Sequence, residues 1–224
     1  MDTLLNTCAA QAAAQVSPRA AILRCRINGR CVGNCRACSF RADPGLLEPE
    51  DLARLIDLLG RSRFRRVDIS GSEPTLHPRF DEVTRFLRRH FGGRVRLHLG
   101  TTLIPLAGGT RRARRMFQAA MDGFDALVVG CDDERANVDC LEQLAAEIVA
   151  SGHLLCVTVT EECCSPQTRR RSMAVRERVR IRVSFAPGDP FGADGAPRRE
   201  RPIPCRHRTR ELLVDCNGDG FFCF

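Results

Sequence analysis

Three cysteines fall within eight residues in Cys31-Val-Gly-Asn-Cys35-Arg-Ala-Cys38, and thiolates so spaced can hold metal from a single loop. The number of ligands decides the chemistry. A structural zinc closes its shell with four protein ligands, and Cys25 or a distant histidine is available as the fourth. An iron–sulfur cube held by three thiolates keeps one iron open to an exchangeable ligand, which is a catalytic arrangement. Core thiols with no ligand role are the third reading, because free cysteine is among the most buried residue types. Gly29 and Gly33 give the loop the backbone freedom to wrap around a cluster.

A second constellation follows in Asp68-Ile-Ser-Gly71-Ser72-Glu73-Pro74-Thr-Leu-His-Pro78. Its small residues let a ligand approach the backbone, and Glu73 can bind an ammonium group. A zinc module has no reason to carry such a turn. Further on, Glu161-Glu162-Cys163-Cys164 offers adjacent thiols as hydrogen donors or ligands, with buried thiols as the plainer alternative. Near the C-terminus, Cys205, Cys216 and Cys223 surround the turn Cys216-Asn-Gly-Asp-Gly220. Asp215-x-Asn217-x-Asp219-Gly220 also matches the first half of a calcium loop. The strand-like Leu212, Leu213 and Val214 ahead of it favour a hairpin over the helix a calcium loop needs.

The elements that must position these groups alternate between strand and helix patterns. Ala21 to Ile27 reads as the first strand, with the cysteine loop after it. Pro49 opens a helix striped by Leu52, Leu55, Ile56 and Leu59 and ended by Gly60. Val67 to Ser70 is the second strand, and Phe80, Val83, Phe86, Leu87 and His90 stripe the helix that follows. Val95, Leu97 and Leu99 alternate as the third, before a helix at Arg111 to Met121. Ala126 to Val129 leads into a helix with Val138, Leu141, Leu144, Ala145 and Ile148, and Leu154 to Thr160 is the fifth strand. Thr168 to Arg178 forms a polar helix, and Ile181, Val183 and Phe185 a sixth strand. Consecutive βα units imply parallel strands with right-handed crossovers, hence an α/β fold that is a doubly wound sheet or an open barrel. Either fold places its reactive site at the carboxyl ends of the strands, where both motifs fall.

With 224 residues, 43% hydrophobic and 28% charged, the chain supports one sizeable domain and is neither disordered nor collagen-like. No apolar run approaches the ~18 residues of a membrane span. The opening MDTLLNTCAAQAAAQ lacks the basic start of a secretory signal, so a cytoplasmic location is expected. The net charge of +8 rests on 35 basic residues, all arginine, in a chain without tyrosine or tryptophan. Arg111, Arg112, Arg114 and Arg115 fall on several helix faces, so the charge reads as solvated surface and no nucleic-acid partner is expected. Thirteen cysteines, an odd number unevenly placed, argue for thiolate ligands in a reducing compartment over a disulfide framework.

Cys31, Cys35 and Cys38 after the first strand, and Gly71-Ser72-Glu73-Pro74 after the second, resemble the radical S-adenosylmethionine (radical SAM) superfamily over about residues 21 to 190. Ala37 departs from an aromatic usual before the third cysteine, and Ser72 from a second glycine. The resemblance implies a partial (β/α)6 barrel with a short C-terminal β-hairpin. It implies a 4Fe-4S cluster on the three cysteines and SAM across the strand ends, its amine held at Gly71, Ser72, Glu73 and Pro74. An electron from a flavodoxin- or ferredoxin-type donor would then break the sulfonium bond and leave a 5′-deoxyadenosyl radical, which abstracts a substrate hydrogen. Phe40 is the candidate for the adenine contact and Asp132 for the ribose, against a core phenylalanine and a helix-capping aspartate. Residues 1–20 are then a lead segment, 21–190 the radical SAM core, and 191–224 a linker and cysteine hairpin.

That hairpin resembles the opening of the auxiliary-cluster extension called SPASM or twitch, which implies a second iron–sulfur cluster on Cys205, Cys223 and Cys216. The function expected is modification of a peptide or other natural-product precursor. An aminocyclitol or sugar dehydrogenase or epimerase is the alternative, and a cysteine-rich zinc or nucleic-acid-binding module the competing class. About twenty residues precede the first strand, too few for an independent recognition fold, which leaves a partner protein able to supply one and does not exclude a peptide.

Overall fold

The computed structural model describes residues 22–32, 45–59, 64–133, 136–160, 164–179, 182–186, 211–214 and 220–223. Strands β1 (Ile22–Cys25), β2 (Arg66–Ile69), β3 (Arg96–Thr101), β4 (Ala126–Cys131), β5 (Leu154–Thr160) and β6 (Arg182–Ala186) pair in parallel and in consecutive order. Between them run α1 (Pro49–Leu59), α2 (Phe80–Phe91), the short α3 (Ile104–Ala107) with α4 (Arg111–Gly123), α5 (Val138–Ala150) and α6 (Pro166–Val179). Right-handed crossovers between strands that advance in one direction put every helix on the same face. A doubly wound sheet reverses its strand order, so the fold is the other alternative, an open (β/α)6 barrel.

The C-terminal hairpin is built into this sheet. Strand β7 (Glu211–Val214) pairs in parallel with β1, Ile22 opposite Glu211 and Cys25 opposite Val214, and β8 (Gly220–Cys223) pairs antiparallel with β7. A strand, β7, where the calcium reading required a helix excludes that reading. No helix among the described residues is long and apolar enough to cross a membrane.

Alternation along the strands separates two environments. Leu23, Cys25, Val67, Ile69, Leu97, Leu99, Leu127, Val129, Leu155 and Val157 are buried against the helices in one core. The inner face is polar and half-exposed: Arg24, Asp68 and His98 stand side by side, with Arg24 Nε and His98 Nδ1 each 3.5 Å from an Asp68 oxygen.

Helix α2 carries Asp81 and Glu82 in its first turn and Arg88, Arg89 and His90 in its last, in accord with the helix dipole, and ends at Gly92 in the left-handed region. Its buried stripe is Phe80, Val83, Thr84, Leu87 and Phe91. His90, expected in that stripe, falls beside it and packs on Phe86, ring centroids 5.2 Å apart. The helical period from Phe80 brings position 91, not 90, onto the core. Strand β4 runs on to Cys131, beyond the expected Val129, and neither α3 nor the 3-10 turn at Pro74–Leu76 has a strong pattern in the sequence.

Candidate active site

The chain leaves β1 through Arg26, Ile27 and Asn28, all buried. Asn28 Oδ1 accepts the Arg30 N–H at 2.7 Å, and its amide donates to the Glu73 carbonyl at 3.1 Å. The Glu73 N–H in turn donates to the Arg30 carbonyl at 2.9 Å. The residue before Cys31 is therefore clamped to the turn after β2 from both sides. The Cys31 side chain itself is exposed, whereas Cys25, Cys131 and Cys164 are buried. Burial, with Asp68 nearby, pushes the Cys25 thiol up to about 12, and the side chain lies in the helix-side core. Cys35, Cys38 and Phe40 lie outside the described residues.

At the turn, Gly71 has φ +82° and Ser72 φ +49°. A Cβ on Gly71 would stand 3.1 Å from Arg26 Cγ, so this position needs glycine for space as well as for backbone. Ser72 holds the left-handed region at a cost of about 1 kcal/mol, and its hydroxyl accepts from Arg26 Nε at 3.3 Å. Among the described residues, neither the Gly71 nor the Ser72 carbonyl accepts a hydrogen bond.

Glu73 has no exposed surface, and its carboxylate is already engaged within the protein. Oε1 accepts from Thr75 N at 3.3 Å, Thr75 Oγ1 at 2.6 Å and Thr101 Oγ1 at 2.9 Å. Oε2 accepts from Thr102 N at 2.7 Å and Thr102 Oγ1 at 2.6 Å. Five donors saturate the roughly four lone-pair sites of a carboxylate. The carboxylate, which the sequence offers as an ammonium ligand, is engaged here by the protein's own donors, and the turn also presents backbone carbonyls.

The ends of β3 and β4 are joined by a residue the sequence reading missed. Asn137, fully buried, donates to the Thr102 carbonyl at 3.0 Å and the Gly130 carbonyl at 2.8 Å. Its Oδ1 is buried with no partner among the described residues. Asp132 is buried at the end of β4, and its carbonyl accepts from Ala136 N. Asn137 occupies the N-cap position of α5, so Asp132 is not the helix cap. Asp133 binds the start of α6 instead, accepting Ser165 N at 2.6 Å and Thr168 Oγ1 at 2.5 Å, and the Thr168 bond holds its carboxyl below the usual range.

Cys164 lies in the core with its thiol donating to the Cys131 carbonyl at 3.1 Å. Cys163 lies outside the described residues, as do Cys205 and Cys216, and of Cys223 only its place in β8 is described. Asn28, Thr101 and Thr102 share one sequence signal, a polar residue at or just past an apolar segment, and Asn137 stands just ahead of the apolar stripe of α5.

An exposed thiol, two unbonded carbonyls and an unpartnered buried acceptor thus meet at the carboxyl end of a consecutive parallel sheet. The family model described as the radical SAM superfamily matches residues 26–143, more than half of the 224 residues, and the chain belongs to that superfamily. The superfamily uses a 4Fe-4S cluster and S-adenosylmethionine, and among the described residues this face offers the exposed Cys31 together with the Gly71, Ser72 and Asn137 acceptors. Among solved structures, SuiB of Streptococcus suis bound to its precursor peptide SuiA is similar in fold, with a TM-score of 0.72 at 12% identity over 93% of this chain and 60% of that one. SuiB bound to S-adenosylmethionine gives 0.67 at 13% identity, over 92% and 61%. The chain thus spans about three-fifths of the length of SuiB. No curated protein sequence matches it.

Proposed function

We propose that the chain is a radical SAM enzyme that modifies a peptide, or another natural-product precursor, by abstracting hydrogen from carbon. One observation carries the reading: two successive left-handed residues leave the Gly71 and Ser72 carbonyls unbonded beside the residue that precedes Cys31. When bound, the cluster and SAM supply a 5′-deoxyadenosyl radical, the reagent for removing an unactivated hydrogen. Cys31, Cys35 and Cys38 would hold the cluster. Gly71 and Ser72 would accept from the SAM ammonium through their carbonyls, while Glu73 fixes the turn and Pro74 starts the 3-10 segment that leads away. Asn137 Oδ1 and Asp132 would serve the ribose hydroxyls, and Phe40 would make the adenine contact. Cys163, and not the core-bound Cys164, is the candidate hydrogen donor of that pair.

The likeness to a protein solved with its precursor peptide supports a peptide substrate. A flavodoxin- or ferredoxin-type electron donor and a cytoplasmic setting complete the reading. The pairing of β7 with β1, the strand ahead of the cysteine loop, supports a second cluster on Cys205, Cys216 and Cys223. Iron analysis then gives about eight irons per chain, falling to about four in Cys205→Ala/Cys223→Ala; about four in the unaltered chain refutes the second cluster.

The substrate class is tested with deuterated compounds under anaerobic turnover. Precursor peptides carrying deuterium are expected to transfer it into 5′-deoxyadenosine. Transfer from a deuterated aminocyclitol, with none from the peptides, would overturn the peptide reading in favour of the dehydrogenase or epimerase.

A further inference from the structure

Next to this site is an open cavity of about 620 Å³ lined by Arg30, Leu76, Pro78, Arg111, Arg112 and Arg115. The arginines come from two places in the fold: Arg30 from the residue before Cys31, the others from the first turns of α4. The sequence alone reads the arginine run on α4 as scattered around the helix. In the structure Arg114 turns away to pair with Glu147 at 2.8 Å, while its three neighbours join Arg30 on the cavity wall.

Among the described residues no carboxylate lines the cavity, and none of its four arginines forms an ion pair. Elsewhere the same side chain is matched with acids: Arg79 with Glu48, Glu50 and Glu82, Arg88 with Asp125, and Arg171 with Asp139 and Glu142. Four guanidinium groups around one concavity repel each other within a Debye length and have no counter-charge among the described residues. Leu76 and Pro78 add an apolar floor. The volume lies in the ligand-pocket range of about 300–1,000 Å³, far more than one inorganic anion fills.

We propose that this groove binds an acidic stretch of the substrate peptide, with carboxylates on the four arginines and apolar side chains on Leu76 and Pro78. The proposal rests on the peptide reading above and deepens it. A concave, mixed cationic and apolar channel suits an extended chain better than the flat face of a folded carrier protein. Because the Arg30 carbonyl is bonded to Glu73 N and Arg30 precedes Cys31, a peptide seated here passes the mouth of the site.

The test measures binding without turnover, so it stands apart from the reading it deepens. The cluster-loaded full chain is titrated into a fluorescein-labelled decapeptide of alternating glutamate and leucine, and anisotropy is followed at two salt concentrations. Binding is expected, weaker at the higher salt, and weakened at least about tenfold in Arg111→Gln/Arg112→Gln/Arg115→Gln, equivalent to about 1.4 kcal/mol. Arg170→Gln/Arg176→Gln/Arg178→Gln on α6, which removes equal charge elsewhere, is expected to bind like the unaltered chain. Equal loss in both variants, or equal binding of the glutamine–leucine peptide, would overturn the proposal. So would tight binding of an acidic flavodoxin that the α4 substitutions abolish while peptide binding persists. Circular dichroism of each variant verifies the fold, and Arg30→Gln gives a second, independent loss. Peptide binding without 5′-deoxyadenosine formation would refute the radical reading and leave the groove standing.

Discussion

Glu73 Oε2 takes both donors that Thr102 offers, the backbone N–H at 2.7 Å and the hydroxyl at 2.6 Å. The carboxylate thereby ties the turn after β2 to the end of β3, and with the Glu73 N–H on the Arg30 carbonyl it joins three strand ends into one rim. Its conservative and truncating variants separate support of the rim from ligand contact.

Glu73→Ala leaves several buried donors without an acceptor. It is expected to destabilise the metal-free chain by about 3 kcal/mol or more, and Thr102→Val by about 1–2 kcal/mol. Urea unfolding checks both. Glu73→Ala of unchanged stability with weakened SAM binding would return Glu73 to direct contact with the ammonium.

Gly71→Ala places a methyl group at φ +82° and 3.1 Å from Arg26 Cγ. A loss of about 1–2 kcal/mol is expected, read as a lower thermal midpoint, together with weaker SAM binding because the adjoining carbonyls move. An unchanged midpoint would show that the turn tolerates a side chain.

His77 accepts the Arg79 N–H at Nδ1, 3.0 Å away, so its proton sits on Nε2 and faces the Leu47 carbonyl at 3.1 Å. Burial holds its pKa below the ordinary 6.5. The unfolded ring takes a proton that the folded ring resists, so stability present above about pH 6.5 is lost as pH falls through the window below it. The urea midpoint should drop between about pH 7.5 and pH 5 more steeply in the unaltered chain than in His77→Gln. Parallel profiles would contradict this account.

Cys25→Ala is expected to leave iron loading intact at a small cost in stability, whereas Cys31→Ala prevents it. If Cys25→Ala releases metal as completely as Cys31→Ala, the four-ligand site becomes the better account.

The cysteine loop and the glycine turn were legible because each is a short linear pattern at the end of an apolar strand. The consecutive order that makes the barrel was foreshadowed by the βα alternation, although alternation alone left two sheets open. What holds the site together was not legible. Thr102 and Glu73 stand 29 positions apart, and Asn137 and Thr102 stand 35 apart, so nothing local marks them as partners. The same holds for β7 on β1, because a parallel partner has no turn to announce it. Leu103 is the sharpest case: a buried leucine at φ +65° sits where chain geometry favours glycine, held by its N–H on Thr101 Oγ1 at 3.0 Å.

The central claim is that this rim presents a cluster and SAM for homolysis. Its most direct test is anaerobic reconstitution with iron and sulfide, then SAM and dithionite, with chromatography of the products. The account predicts 5′-deoxyadenosine from the unaltered chain and none from Cys31→Ala; an intact cluster with SAM bound and no 5′-deoxyadenosine formed would contradict it.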